Sequence, residues 1–260
     1  MRIALFSDIH GNAIALDAVL AAIDAQGGVD EYWVLGDLVA VGPQPIQVLE
    51  RLTALPRVRF TRGNTDHYMI SGKRPPPYSA DVAANPERLP VFEEVLQTMS
   101  WTQGALTATG WLPFLDALPL EQRLTLPDGT QLLGVHGSPG QDGGRGIRPD
   151  YPVAFLHQQI AGCSADLICV GHTHWPMNVH LGKTHVINLG SVSNSQVPDL
   201  CAWYVLLEAD ASAYRATHQQ AAYDRAAVIA ELKRVRHPAP EFIARHMRGE
   251  YIRDWPLPTV

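Results

Sequence analysis

Side chains of the types that bind metal ions follow apolar segments of this sequence in five short clusters. They are Asp8 and His10, Asp37, Asn64, His136, and the pair His172 and His174. Each cluster ends a run typical of a β-strand: IALFSDIH, YWVLGD, VRFTRGN, QLLGVHG and LICVGHTH. Open α/β sheets place their binding groups at strand ends, where a rigid scaffold presents side chains to a crevice. The five clusters together therefore predict one site assembled from distant parts of the chain.

The donor set combines carboxylates, imidazoles and one amide oxygen. This mixture of oxygen and nitrogen suits Mn²⁺, Fe or Zn²⁺, and it contains no thiolate that would favour zinc. Asp37 stands alone beside Gly36, and its two carboxylate oxygens could bridge two ions. Because seven ligands exceed what one metal usually takes from a protein, we expect two divalent metal ions, with manganese the first candidate.

Composition and charge are those of an ordinary globular protein. The chain has 260 residues, of which 46% are hydrophobic and 18% charged, and its formal net charge is −6. This length suits one large domain or two small ones, and no linker divides it, so a single domain over residues 1–260 is predicted. The charge gives no electrostatic footprint for a nucleic-acid polymer or an anionic membrane. We therefore expect neither as a partner, and the oligomeric state stays open.

The cysteines and the first residues bear on the cellular compartment. Cys163, Cys169 and Cys201 cannot all pair and lack metal-ligand spacing, so buried free thiols are expected. Asp8 interrupts the first apolar run, which argues against a signal peptide, and no segment approaches the ~20 apolar residues of a membrane span. A cytoplasmic location is the resulting expectation.

The order of elements predicts an α/β fold. The first third alternates strand and helix as β-α-β-α-β, which is typical of a parallel sheet with right-handed crossovers. Residues 67–118 predict a helical cap insertion, with a loop-like KRPPPYSADVAANP and then two helices broken near Gly104. This cap and the Gly-rich loop 137–150 are expected to form the rim of a cleft. Hairpins around Gly129 and Gly182, a helix over 151–162, two further strands and helices over 224–248 complete the prediction.

The ordered blocks SDIHGN, LGDLVAVGP, RGNTD, VHGSP and GHTH, followed by NLGS, resemble the calcineurin-like metallophosphoesterase superfamily. The resemblance extends from residue 8 to about 191. It implies a four-layer α/β/β/α sandwich of two mixed sheets and a metal-dependent phosphoesterase, in which a hydroxide shared by two metals attacks phosphorus in line. It also implies two ligand groups: Asp8, His10 and His174 for one metal, and Asn64, His136 and His172 for the other, with Asp37 bridging.

One block departs from the family pattern. Many members carry GNHD or GNHE, whose histidine assists the leaving group, whereas Thr65 occupies that place here. A threonine can form hydrogen bonds but cannot act as a general acid near neutral pH. The small bacterial and archaeal phosphodiesterase branch also lacks this histidine, so the chain most resembles that branch. We therefore predict a phosphodiesterase acting on a small or nucleotide-like diester.

The predicted catalytic residues are Asp37, Asn64 and His67, with His67 as an alternative acid and a surface histidine as the other interpretation. Asp66 is expected to orient a neighbouring imidazole. The predicted substrate contacts are Thr65, Ser138 and Arg145. Arg145, or else Arg148, would replace a basic residue that relatives carry after NPGSVG, although solvated surface arginines are the other interpretation. Other histidines, including His246, are interpreted as surface or structural groups; one of His180 and His185 could line the cleft, and Trp175 could shape its wall.

Other functions remain open. A phosphomonoesterase, a protein phosphatase or a dinucleoside polyphosphate hydrolase would use the same centre, but such relatives usually keep the GNH histidine. A non-catalytic binding module of the same fold is another possibility. The retromer scaffold subunit is such a module, and it has lost key metal ligands. Here every block keeps its ligand, which favours an enzyme.

Overall fold

The computed structural model describes residues 1–251, which form two five-stranded sheets. The first sheet has the order β10-β9-β1-β2-β3. Its strands are β1 (Arg2–Phe6), β2 (Glu31–Leu35), β3 (Val58–Thr61), β9 (Ala202–Ala209) and β10 (Tyr214–Ala221). Strands β1, β2 and β3 are parallel, as the alternating pattern predicted, while β9 and β10 add an antiparallel side. The sheet is therefore mixed.

The second sheet is also mixed and has the order β4-β5-β6-β8-β7. Its strands are β4 (Glu121–Thr125), β5 (Gln131–Val135), β6 (Leu167–Val170), β7 (Met177–Leu181) and β8 (Thr184–Asn188). Strands β5, β6 and β8 are parallel to one another. The outer strands β4 and β7 are antiparallel to their neighbours and form the two predicted hairpins.

Helices fill the connections and the end of the described chain. They are α1 (Ala13–Ala25), α2 (Pro45–Ala54), α3 (Asn64–Ser71), α4 (Ser79–Ala84), α5 (Leu89–Thr109), α6 (Leu112–Asp116), α7 (Val153–Gln159), α8 (Arg225–Arg234) and α9 (Pro240–Met247). Local sequence sets several of their ends. Asn12 accepts a hydrogen bond from the N–H of Ala15 and so caps α1. Pro45 begins α2, where its missing N–H costs nothing.

The two sheets stack face to face through a buried apolar layer. Alternate residues of β1 and β2, such as Leu5 and Trp33, meet residues of the second sheet such as Leu167 and Ile187. Gly134 makes room for the indole of Trp33, because a Cβ there would lie 2.8 Å from its ring. The opposite face of the first sheet carries α1 and α2, and that of the second carries α7. This is the predicted four-layer α/β/β/α sandwich.

Three expectations from the sequence are wrong in detail. Helix α5 continues through Gly104 and ends only at Gly110, where φ is 77°. The cost of about 1 kcal/mol for a glycine inside a helix is offset because Met99 and Leu106 anchor α5 in the core. The loop-like segment contains α4. Of the cysteines only Cys169 is buried, because the other two lie outside the strands.

The predicted cap divides into two parts. Helices α5 and α6 pack into the same core cluster as α1 and α2. Five earlier residues of the predicted cap line a cavity beside the site: His67, Tyr68, Lys73, Arg74 and Tyr78. The prediction of a single domain over 1–260 extends to residues 252–260, which lie outside the described residues. Within residues 1–251, none of the helices has the length and hydrophobicity that a membrane crossing needs.

Candidate metal centre

The five clusters meet at one edge of the sandwich, where the parallel strands of both sheets end. The N–H of His172 donates to Asp8 Oδ2 at 3.0 Å, which joins the end of β6 to the end of β1. The ring of His136, after β5, donates to the carbonyl of Leu35 on β2 at 2.7 Å. These contacts between distant segments explain how ligands spread from residue 8 to residue 174 reach one place.

Five of the seven predicted ligands have a left-handed backbone, with φ between 49° and 69°: Asp8, His10, Asp37, His172 and His174. A non-glycine residue in this region is strained by roughly 1–3 kcal/mol. Backbone hydrogen bonds hold the strained turns: the N–H of Asp8 donates to Gly36, and that of His10 to Asp37. The sharp turns after β1, β2 and β6 aim these five side chains into the centre.

Two glycines are required by close approach. A Cβ on Gly63 would lie 2.2 Å from both the nitrogen and Oδ1 of Asp37. A Cβ on Gly171 would lie 2.6 Å from Asp8 Oδ2 and 2.3 Å from the hydroxyl of Ser7. Both contacts are shorter than van der Waals distance, so the GN and GH blocks need their glycines to let backbone pass beside a carboxylate.

The first group of donor atoms surrounds Asp8. The Nε2 atoms of His10 and His174 lie 3.1 Å apart. Asp8 Oδ1 lies 3.2 Å from Nε2 of His174 and 3.7 Å from Nε2 of His10. Asp37 Oδ2 is also 3.7 Å from Nε2 of His10. Carboxylate and imidazole atoms thus converge on one point.

The second group surrounds Asn64. Its Oδ1 lies 2.7 Å from Nδ1 of His172 and 3.1 Å from Nε2 of His136. Asp37 Oδ1 lies 3.4 Å from Nε2 of His136. Asp37 therefore presents Oδ2 to the first group and Oδ1 to the second. All seven residues of the predicted set thus lie together at this edge.

The other ring nitrogen of each histidine faces a backbone carbonyl, at 2.7–3.0 Å. His10, His136 and His174 use Nδ1, toward Ala40, Leu35 and Asn194, and His172 uses Nε2, toward Gly144. A carbonyl only accepts, so that nitrogen carries the proton, and in the neutral ring the nitrogen facing the centre has a lone pair. Once the rings are neutral, lone pairs on nitrogen and carboxylate oxygens point at each other, and a cation between them would stabilise this arrangement.

The burial and the pKa shifts of Asp8 and Asp37 also fit a cation site. Burial alone would raise the pKa of Asp8, but the imidazoles of His174 and His136 bring it below its ordinary value. Burial is likewise outweighed at Asp37, whose pKa is lowered chiefly by His136. Apart from the surrounding imidazoles, no donor among residues 1–251 reaches the buried Asp8 Oδ1. Two ionised, buried carboxylates with converging nitrogens fit divalent cations, and Asp8 belongs to both sets of residues that could hold one.

The Asp66 carboxylate bonds backbone N–H groups and not an imidazole. The prediction that Asp66 orients a neighbouring imidazole is therefore wrong. Its carboxylate accepts from the N–H groups of Asp37 (2.8 Å), Leu38 (2.9 Å) and Gly63 (2.9 Å). The histidines are already oriented by backbone carbonyls and leave no ring N–H for it. Burial, followed by the negative charge of Asp37, raises the pKa of Asp66 to about 7. Asp66 thus ties the turn after β2 to the start of α3.

Two cavities flank the centre and meet at Gly144. One, of about 520 Å³, is here named the aromatic cavity; its walls include His172, His174, Arg145, Tyr151, Trp175, His246 and Tyr251. The other, of about 500 Å³, is named the basic cavity; its walls include Asn64, His67, Tyr68, Lys73, Arg74 and Tyr78. Each cavity thus has at least one predicted ligand in its wall.

The remaining predicted site residues differ in whether they line a cavity. The guanidinium of Arg145 lies in the aromatic cavity over Phe155, 4.5 Å from its centroid. His67 lines the basic cavity, with Nδ1 3.8 Å from Asp142. Thr65 donates its N–H to Asp37 Oδ1 at 2.8 Å, while its buried hydroxyl has no partner among the described residues. Ser138 is 2% exposed, pairs its backbone with Gln141 and is not among the described wall residues of either cavity.

Several other side chains are also located. Arg148 also lines the aromatic cavity and is paired with Asp150. Trp175 lies in the wall of that cavity, as the sequence suggested. His185, on β8, instead bonds Asn178 of the second sheet and Tyr214 of the first, and His180 stacks on it. Neither of these two histidines is among the described wall residues.

Sequence reasoning missed His246 and Tyr251, both in the wall of the aromatic cavity. They follow the last block by more than 50 residues, and no spacing relative to the blocks marks them. His246 lies on α9, whose buried face of Ile243, Ala244 and Met247 is an ordinary amphipathic pattern. The only available signal was a histidine on a terminal helix, which is uninformative without the fold.

Comparison with known proteins identifies the family. Residues 1–212 match the calcineurin-like phosphoesterase superfamily domain. An uncharacterised protein of Methanocaldococcus jannaschii is 30% identical over 209 residues, which cover 73% of this chain and 75% of that one. The crystal structure of a metallophosphoesterase from Sphaerobacter thermophilus is 28% identical, covers 96% of this chain and 98% of its own, and superposes with a TM-score of 0.74.

Two further matches show less: one shows only the fold, and the other covers only a short segment. A hypothetical protein from Pyrococcus horikoshii, 21% identical, shares the fold over 95% of this chain and 97% of its own with a TM-score of 0.77. A symmetrical bis(5'-nucleosyl)-tetraphosphatase from Pectobacterium carotovorum is 38% identical over 68 residues, only 26% of this chain and 24% of that enzyme.

Fold and site together define a metallophosphoesterase, a hydrolase of a class that binds divalent metal ions. The chain belongs to the calcineurin-like phosphoesterase superfamily, as its ordered blocks predicted.

Proposed function

We propose that this protein is a phosphodiesterase that cleaves a small or nucleotide-like phosphate diester with two divalent metal ions, Mn²⁺ being the first candidate and Fe or Zn²⁺ the others. The observation that carries the proposal is the position of Asp37, with one oxygen toward each of two donor groups. Asp8, His10 and His174 would hold one ion, and Asn64, His136 and His172 the other.

The residues of the centre would have different roles in the reaction. Bound divalent ions supply a nucleophile from water at neutral pH and neutralise charge on phosphoryl oxygens. Asp37 would fix the separation of the two ions, and its own position is set by Thr65 and Asp66 through backbone hydrogen bonds. Asn64 would keep its amide oxygen on the centre because His172 and His136 both face it. Rigid placement of this kind lowers the reorganisation needed during reaction.

The surroundings favour a diester over a monoester. A diester carries two substituents on one phosphate, and two cavities of similar size meet beside the centre. Arg145 would contact the substituent in the aromatic cavity, and Thr65, Ser138 and His67 stay candidate contacts from the sequence. With Thr65 in the GNTD block, the chain lacks the histidine that would serve a poor leaving group there.

A dinucleoside polyphosphate is the second candidate substrate. Lys73 and Arg74 line the basic cavity, and among residues 1–251 the Arg74 guanidinium bonds only the neutral oxygens of Lys73 and Gln103. Positive charge in one cavity and aromatic rings in the other would suit a phosphate chain that ends in a base. The short match to a bis(5'-nucleosyl)-tetraphosphatase supports the same candidate. A purely binding role is disfavoured because the donor set is complete.

A substrate panel with Mn²⁺ tests the proposal. Bis-p-nitrophenyl phosphate, p-nitrophenyl phosphate and diadenosine tetraphosphate would each be incubated with metal-loaded and chelator-treated protein. We expect metal-dependent cleavage of the diester at a kcat/KM at least tenfold above that for the monoester. Faster cleavage of the monoester would overturn the phosphodiesterase assignment, and a preference for the dinucleotide would select the second candidate.

A further inference from the structure

The C-terminal helix α9 brings an imidazole to the metal centre from outside the region that matches the family, which ends at residue 212. His246 lines the aromatic cavity together with the predicted ligands His172 and His174. It belongs to neither set of side chains that could hold a metal ion. Its ring therefore faces the space beside the centre without being part of it.

The nitrogens of His246 are available. Among residues 1–251, no hydrogen bond to its ring is formed, whereas all four ligand histidines are bonded through both nitrogens. Burial, with the neighbouring rings of His174 and His10, lowers the pKa of His246 to about 3. The neutral ring has one N–H donor. A polar group aimed into a cavity with no internal partner is a group that a ligand can satisfy.

Helix α9 is fixed well enough to position that donor. Arg245 pairs with Glu94 on α5, and Arg225 donates to the carbonyl of Met247 at 3.0 Å. The ring of His246 packs against Phe242, with centroids 5.5 Å apart, and against Tyr251 at 4.3 Å. These two ring contacts restrict the imidazole, as a group that must meet a substrate oxygen requires.

We propose that His246 is a catalytic residue that donates a hydrogen bond to the departing ester oxygen of the phosphodiester, the task left open by Thr65. The inference rests on the proposed phosphodiesterase function. In the step it assists, a bond forms between a water-derived oxygen and phosphorus while the bond from phosphorus to the leaving oxygen breaks. The electron pair stays on the leaving oxygen, which His246 stabilises by its hydrogen bond and which then takes a proton from water.

The test uses two substrates, the p-nitrophenyl and the phenyl ester of methyl phosphate. They share the methyl group that stays on phosphorus and differ only in the leaving group. Phenolate is the poorer leaving group and needs more stabilisation. His246→Ala should lower kcat for the phenyl ester roughly 100-fold, as loss of one donor to a developing oxyanion does. The loss on the p-nitrophenyl ester should be clearly smaller, KM should change little, and His246→Gln, which keeps an N–H donor, should recover part of the rate.

Two histidine variants serve as controls. His157→Ala changes an exposed imidazole on α7 and should leave both rates unchanged. His67→Ala removes the candidate acid that the sequence suggested, and its loss should be equal for the two esters. If His67→Ala instead shows the leaving-group dependence and His246→Ala does not, the assignment to His246 is wrong.

A readout independent of turnover completes the test. Orthovanadate, added to protein loaded with diamagnetic Zn²⁺ as an analogue of the transferring phosphoryl group, should shift the ring N–H resonance assigned to His246. Metal content and the unfolding midpoint of His246→Ala should match the wild type. Full activity of this variant, equal losses on both esters, or an unmoved resonance would overturn the proposal. Absence of any metal-dependent hydrolysis by the wild type would instead overturn the phosphodiesterase function itself.

Discussion

At the scale of single residues, the centre is organised by which nitrogen of each histidine bonds the backbone. Four rings donate to carbonyl oxygens and turn their other nitrogen inward. The same arrangement fixes the tautomer of each neutral ring and keeps it from rotating away. Residue types alone suggested metal ligands, but the inward atom, Nε2 in three rings and Nδ1 in His172, depends on backbone contacts that only the fold supplies.

Metal binding is expected to release protons. The carboxylates of Asp37 and Asp8 outweigh burial and raise the pKa of His136 to about 10, and Asp8 raises that of His174. These rings hold protons below their raised pKa values, and a metal must displace them, so affinity should rise with pH up to about pH 10. Calorimetric titration of Mn²⁺ in buffers of different ionisation enthalpy measures the protons released. Binding with no proton release would contradict the expectation.

Gly63 gives a second prediction at this scale. A methyl group there would lie 2.2 Å from Asp37 Oδ1, so Gly63→Ala must displace the Asp37 carboxylate or the backbone. We expect a loss of about 1–3 kcal/mol in the free energy of unfolding and weaker metal binding. Gly104→Ala, where a methyl group meets open space within α5, is the matched control and should be neutral or stabilising. Denaturant unfolding of both variants checks this, and an unaffected Gly63→Ala would be inconsistent with the packing described.

At the scale of elements, the strand ends were predictable and the turns after them were not. Apolar runs predicted the parallel strands, and their shared direction gathers Asp8, Asp37 and His136 at one edge. The left-handed backbone at five ligands has no local sequence signal, since only tertiary hydrogen bonds hold it. The same limit explains Asp66, which the sequence assigned to an imidazole although it bonds backbone N–H groups.

The hydrogen bonds of Asp66 between the turn after β2 and the start of α3 can be tested by substitution. Asp66→Asn replaces one carboxylate oxygen with an NH₂ group, which would face a backbone N–H of Asp37, Leu38 or Gly63. A buried donor left unsatisfied costs about 1–3 kcal/mol, and the turn carrying Asp37 should loosen. We expect lower thermal stability and reduced metal occupancy, measured by calorimetry and elemental analysis. Asp142→Asn, outside this network, is the comparison; equal effects of the two substitutions would contradict the role given to Asp66.

At the scale of the whole molecule, the centre joins the two halves of the sandwich. Asp8 and Asp37 follow strands of the first sheet, and His136 and His172 follow strands of the second. Bound metal would therefore cross-link both sheets at one edge, and α9 adds a wall from the end of the described chain. This arrangement would couple metal occupancy to the stability of the entire fold.

Removal of metal should accordingly lower the unfolding temperature. Ions that bind only the folded state stabilise it by about 2.7 kcal/mol when present at 100 times Kd. Scanning calorimetry with Mn²⁺ and with excess chelator measures the difference. For a protein of this size we expect a shift of several degrees, reduced in variants of Asp8 or His136. An unfolding temperature insensitive to chelator and metal would show that the centre does not hold the sheets together.

The bridging position of Asp37 is the central claim, and it is tested most directly by measuring metal content and diester hydrolysis on the same samples of wild type and Asp37→Asn. Asp24→Asn, an exposed change of the same kind, is the control. We predict two equivalents of metal per chain in the wild type and the control. Asp37→Asn should lose at least one equivalent and slow hydrolysis of bis-p-nitrophenyl phosphate on the order of 100-fold or more. An Asp37→Asn protein with both metals and full activity would contradict the account.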